Sequence, residues 1–179
     1  MGIRLRKEPE EDFLKEWIEI YIIRIFSTMK AYLDVDGVIL TKDGNQMPNL
    51  KEFLDILFTV FDGEIYWLTT HCKDSDTSRV LNRLQSVLEH DQYERFLFIK
   101  PAPWYELKTE GIDFNDKFYW FDDNVFLVEQ KVLGDHGKKE SWIKVDNNLV
   151  DVVKYLEKEF PQYHRNRGKY WRTINGVLI

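Results

Sequence analysis

The chain has a single cysteine, Cys72, so no internal disulfide can form. No stretch approaches the roughly 18 uninterrupted apolar residues of a membrane-spanning helix. The N-terminal apolar stretch follows an acidic run and lacks a small-residue cleavage site, so it does not read as a secretory signal. Together these absences point to a soluble, cytoplasmic protein with no membrane partner. Positive charge is also short. Lys and Arg number 25 against 31 Asp and Glu, a formal charge of −6. That balance excludes a protein whose whole surface grips nucleic acid, because backbone binding needs clustered cations. A Gly-rich loop followed by Lys-Ser or Lys-Thr is missing, which removes P-loop kinase chemistry. His71 and Cys72 have no second His or Cys at metal-like spacing and read as flanking residues.

What is present suits one α/β domain. With 179 residues, 44% of them hydrophobic and 15% aromatic, the chain can bury one sizeable core. Short apolar runs alternate with longer amphipathic stretches, the pattern of βαβ units around a buried parallel sheet. Strands are predicted at AYLDV (31 to 35), EIYWLT (64 to 69), RFLFI (95 to 99), KFYWF (117 to 121) and SWIKV (141 to 145). Leu50, Phe53, Leu54 and Leu57 mark one helix, and Val80, Leu81, Leu84, Val87 and Leu88 another. Val125 to Leu133 and Leu149 to Phe160 complete the helical set.

Both ends of the chain differ from this middle. Phe13, Leu14, Trp17, Ile18, Tyr21, Ile22 and Ile25 are spaced for an amphipathic helix, so residues 1–28 read as a helical extension. Met29 directly precedes the first strand and offers an alternative start. Residues 161–179 form a basic and aromatic tail in which Arg165, Arg167, Lys169 and Arg172 are interleaved with Tyr170 and Trp171. Such a tail is either a solvated terminus or a surface for a phosphate backbone and a stacked base. The domain proper spans 29–160.

In an open α/β sheet, chemistry gathers at the carboxyl ends of the strands, beside the point where strand order reverses. The first run delivers Asp34 and Asp36 there, in YLDVDGVIL, with alternation placing both side chains on one face and Gly37 permitting a sharp exit. An acid inside an otherwise buried run is costly unless it is paired or metal-bound. Two such acids can divide labour, one ionised for attack and metal ligation, the other holding a proton for a leaving oxygen. Asp122 and Asp123, in FYWFDDN, concentrate negative charge that calls for a cation, and magnesium suits an all-oxygen donor set. Asp123 or Asn124 could alternatively cap the helix that follows. Thr69 or Thr70 offers a hydroxyl, and Lys108 or Lys100 an ammonium to balance a transferring phosphoryl group.

The ordered set LDVDGV, WLTT, a downstream lysine and FDDN resembles the four motifs of the haloacid dehalogenase-like (HAD) superfamily over residues 30 to about 160. The resemblance implies a three-layer Rossmann-like fold with a five-stranded parallel sheet in the order 5-4-1-2-3 and helices on both faces. It implies a magnesium-dependent phosphomonoester hydrolase working through an aspartyl phosphate. Asp34 would be the nucleophile, Asp36 the acid/base, Thr69 the hydroxyl, Lys108 the phosphate-stabilising lysine, and Asp34, Asp36, Asp122 and Asp123 the metal acids. Thr70 and Lys100 are the alternatives for the middle motifs, with Lys108 preferred for its spacing to the acidic pair.

A phosphorylation-responsive receiver domain needs similar residues, but receivers place paired acids on the first strand and the phospho-acceptor on the third, the reverse of the order here. A catalytically inactive phosphate-binding domain is the other rival. The segments Gly37 to Ile65 and Lys73 to Leu107 are too short for a folded lid, so a largely capless, open site is expected. The substrate would be a phosphorylated small molecule or the phosphorylated end of a macromolecule, nucleic acid included.

Overall fold

Apolar runs without polar alternation cannot face water on either side, and a parallel sheet layered between helices covers both faces. The computed structural model, which describes residues 29 to 61 and 63 to 161, has this arrangement. Among the described residues the elements run β1 (Met29–Leu33), α1 (Leu50–Val60), β2 (Ile65–Trp67), α2 (Ser78–Gln85), α3 (His90–Phe96), β3 (Lys100–Pro101), β4 (Lys117–Asp122), α4 (Leu127–Asp135), β5 (Trp142–Lys144) and α5 (Val150–Glu159). Short 3-10 turns occur at Thr70–Cys72, Lys108–Gly111 and Lys139–Ser141. The expected N-terminal helix and the basic, aromatic tail from 162 onward lie outside the described residues. No helix among the described residues is long and apolar enough to cross a membrane.

All strand pairs are parallel, in the order β3-β2-β1-β4-β5, which is the expected order and a Rossmann-like α/β arrangement. Alternate residues feed two apolar layers. Ala31, Leu33, Trp67, Tyr119 and Phe121 pack under Phe53 and Leu57 of α1, Leu84 of α2, Phe96 of α3 and Leu156 of α5. Tyr32, Phe118 and Trp120 face the other way, onto Ile112, Val125 and Leu133 of α4. β4 is fully buried after its first residue, which is why its sequence shows no polar alternation.

The third strand departs from expectation. RFLFI ends a helix instead of forming a strand, and β3 is the two-residue Lys100–Pro101. Gln92, Arg95 and Phe96 are buried at helical spacing while Leu97 and Phe98 are 49% and 63% exposed, so the run has one inward face and not a strand's two. Phe96 stacks on Trp67 at 5.5 Å, and Arg95 donates to Asp55 of α1 at 2.8 Å. These tertiary contacts settle a run whose composition alone reads as β. The helix after β4 also shifts, with α4 starting at Leu127 instead of Val125. Neither Asp123 nor Asn124 caps it; the Phe126 N–H donates to Glu129 Oε2 at 3.0 Å.

Candidate active site

The pairing of β1 with β4 sets Leu33 opposite Phe121, so the next residues, Asp34 and Asp122, emerge side by side. This is the reversal point of the sheet, since the chain runs outward through β2 and β3 on one side and through β4 and β5 on the other. The Asp34 N–H still joins the ladder, donating to Phe121 O at 3.0 Å. The 3-10 turn at Lys108–Gly111 brings Lys108 to this edge, where its Nζ donates to Asp34 Oδ2 and Asp122 Oδ2, both at 2.7 Å. Side-chain exposures of 12% for Lys108, 13% for Asp34 and 1% for Asp122 make this a desolvated cluster, so its electrostatics are only weakly screened.

Further donors hold these groups. Asp34 Oδ1 accepts from Val35 N at 2.7 Å. Asp122 accepts from Trp120 Nε1 at 3.1 Å and Asn124 N at 2.9 Å, while its main-chain carbonyl accepts from Trp142 Nε1 at 3.1 Å. Burial pushes the Asp122 carboxyl up to about 6; the nearby Asp34 charge adds to this and Lys108 opposes it. For Lys108, burial works against the ammonium, but Asp34 and Asp122 outweigh it and raise its pKa.

Asp123 completes an acidic group: one ligand atom each from Asp34, Asp122 and Asp123 lie within 4.8 Å of one another. Among the described residues, three carboxylates face one buried ammonium, and the exposed Lys42 adds a cation 2.9 Å from Asp123. The cluster therefore carries excess negative charge on hard oxygen donors, a set that a cation such as magnesium or calcium fits. Gly37 makes room for it. A Cβ there would lie 2.5 Å from Asp123 Cγ, and φ is +85°, a region that disfavours side chains.

Asp36, expected among the metal acids, contributes no ligand atom to this group. Strand alternation does not set the two aspartates on one face, because β1 ends at Leu33 and the chain turns, with Ile39 and Leu40 N–H groups both returning to Val35 O at 2.9 Å. The Asp36 carboxylate instead accepts from Arg83 Nη2 at 2.6 Å and meets His71 Nε2 at 2.7 Å. Thr69 is fully buried at the end of β2 and its Oγ1 faces the His71 N–H at 3.5 Å, capping the turn; Thr70 is exposed. Lys100 stands outside the cluster, paired with Glu64 at 2.9 Å. Cys72 is buried, and that burial, together with Asp74 and Asp76, raises its thiol to about 11, so it is no nucleophile at neutral pH.

The sequence reading passed over several of these partners. His71 was set aside for want of a metal-ligand companion, yet its partner is a carboxylate 35 residues away. Arg83 lies within the helix marked by Val80, Leu81 and Leu84, where no neighbouring residue singles it out. Glu129 is 2% exposed and accepts from Lys108 N at 2.8 Å as well as from Phe126 N, tying the lysine turn to the start of α4. A capping-box pattern would have flagged it, but that pattern needs Ser or Thr at the cap and here the residue is Phe126. Searches of family models, of curated proteins and of solved structures find no match to this chain.

Proposed function

We propose that the protein is a magnesium-dependent phosphomonoester hydrolase of the HAD-like type, with Asp34 as nucleophile. The observation that carries this reading is the Lys108 ammonium shared between Asp34 and the buried Asp122 at the sheet's reversal point. A lone carboxylate there could be structural; one held by an ammonium, beside two further acids, is set up to receive a phosphoryl group and its charge. An Asp34 carboxylate oxygen attacks phosphorus, the bond to the ester oxygen breaks, and that oxygen takes a proton from Asp36. Water then attacks the acyl phosphate, the bond from phosphorus to Asp34 breaks, and Asp36 takes the proton from water. Lys108 offsets charge on the phosphoryl oxygens throughout. Asp34, Asp122 and Asp123 would hold the magnesium ion, which supplies further charge neutralisation at those oxygens.

Both oxygens of Asp36 are engaged, one with Arg83 and one with His71. Proton transfer to a leaving oxygen therefore requires one partner to be released. His71 is the one whose ring nitrogen can itself carry the proton. The test is a panel of phosphate esters assayed with and without magnesium. Metal-dependent release of phosphate, abolished by EDTA, supports the reading; no turnover of any ester, or full activity without metal, refutes it.

A further inference from the structure

Beyond the acidic cluster, the described residues carry a cleft of about 360 Å³ lined by Thr70, Lys73, Asp74, Arg79, Trp104 and Tyr105. The 3-10 turn at Thr70–Cys72 presents His71 to Asp36 and lines the cleft with Thr70. Trp104 Nε1 donates to Thr69 O and Trp104 N to Lys73 O, both at 3.3 Å, stapling the aromatic loop to the end of β2.

This loop displays aromatic surface without burying it. Tyr105 is 78% exposed, although its backbone is braced: the N–H groups of Tyr105 and Glu106 donate to Glu110 Oε2 at 2.7 and 3.0 Å. The bracing fixes the backbone from which the ring projects and leaves most of the ring accessible for stacking. Lys73 Nζ lies 4.4 Å from the Trp104 ring centroid and 5.6 Å from that of Tyr105, so a cation already sits where rings and charge meet. Arg79 adds a second cation, and Asp74 is the one acid in the lining. A neutral sugar would make no use of the two cations, and a bare phosphate would leave the rings unused.

We propose that this cleft holds the base and a second phosphate of a nucleotide whose scissile phosphate lies at Asp34, an inference that rests on the phosphohydrolase reading of that residue. The base stacks on Tyr105 and Trp104, and the second phosphate meets Lys73 and Arg79. That chemistry is offered by a free nucleoside bisphosphate and by the terminal nucleotide of a phosphorylated strand.

The test compares adenosine 3′,5′-bisphosphate, a phosphorylated oligonucleotide and ribose 5-phosphate as substrates of the full chain, its Tyr105→Ala variant and its Lys73→Ala/Arg79→Ala variant. Each variant should raise KM for the bisphosphate about tenfold, the loss of one stacked base or one phosphate contact, with kcat and ribose 5-phosphate turnover unchanged. Higher kcat/KM on the oligonucleotide than on the bisphosphate assigns the strand end, and the reverse assigns the free nucleotide. Equal handling of ribose 5-phosphate and bisphosphate, unmoved by either variant, overturns the proposal. Should no ester turn over, the phosphohydrolase reading fails by itself, and calorimetric titration with the bisphosphate decides the cleft. Binding weakened about tenfold by Tyr105→Ala then upholds it, and no binding overturns it.

Discussion

Asp122 makes the metal-free protein sensitive to pH in a direction opposite to that of an ordinary salt-bridged aspartate. Its carboxyl is raised from 3.8 to about 6, chiefly by burial and then by Asp34, so the folded chain binds that proton more tightly than the unfolded chain does. The stabilisation is fully present below about pH 4 and is lost as pH rises through about 6. Converted at 1.36 kcal/mol per pH unit, the difference is roughly 3 kcal/mol, and with the side chain 1% exposed no discount for solvent applies. The assay is urea unfolding in EDTA between pH 4 and 7.5, comparing the wild type with Asp122→Asn, which cannot titrate. Depressed carboxyls elsewhere, such as Asp113 beside Lys30, act equally on both proteins and cancel in the difference. Relative to the variant, the wild type should lose about 2 to 3 kcal/mol across that range. Magnesium should restore it at pH 7.5 and not below pH 5, because proton and cation compete for the same oxygens. A wild-type minus variant difference that stays flat with pH would refute the reasoning.

Other perturbations test separate parts of the site. Glu129→Gln replaces one of two acceptor oxygens with a donor and leaves the Lys108 or Phe126 N–H unpaired, so stability should fall by about 1 to 3 kcal/mol by thermal melting and kcat should drop as Lys108 loosens. An unchanged melt would remove Glu129 from that role. Gly37→Ala forces a side chain into a left-handed backbone and against Asp123, and should cost about 1 to 3 kcal/mol while raising the magnesium concentration needed for half-maximal activity. A normal magnesium titration would show that Asp123 is not a ligand. Asp36→Asn should lower kcat by about 10²- to 10⁴-fold for esters with poor leaving groups and less for good ones. Equal losses across leaving groups of different pKa would take the acid role from Asp36.

The parts of this fold that were legible in the sequence are those governed by local burial. Strand β4 reads as a strand because five successive residues are buried, and the Asp34 and Asp122 positions follow from where β1 and β4 end. The helical patterns of α1, α2 and α5 were visible because one face of each is apolar, whereas α4 buries Glu129 and exposes Leu127 and Val128. What escaped was decided by contacts distant in sequence. The run ending at Ile99 is pulled into α3 by Trp67 and Asp55, partners that no window around it contains. The Asp36, His71 and Arg83 group joins two separate turns and a helix, so its members look unrelated along the chain. Trp120 and Trp142 stand in the predicted strand runs KFYWF and SWIKV, and their indole N–H groups donate to the Asp122 carboxylate and main-chain carbonyl.

The central claim is that Asp34 carries the phosphoryl group between the two half-reactions. The direct measurement is acid quenching of the enzyme during turnover of a radiolabelled phosphate ester with magnesium, followed by peptide mapping of the label in one portion and by borohydride reduction and peptide mapping in a second. The account predicts label on the peptide containing Asp34, its reductive conversion to homoserine at that position, and neither signal in a folded Asp34→Asn variant. Turnover without any label on Asp34, or undiminished turnover by Asp34→Asn, would contradict it.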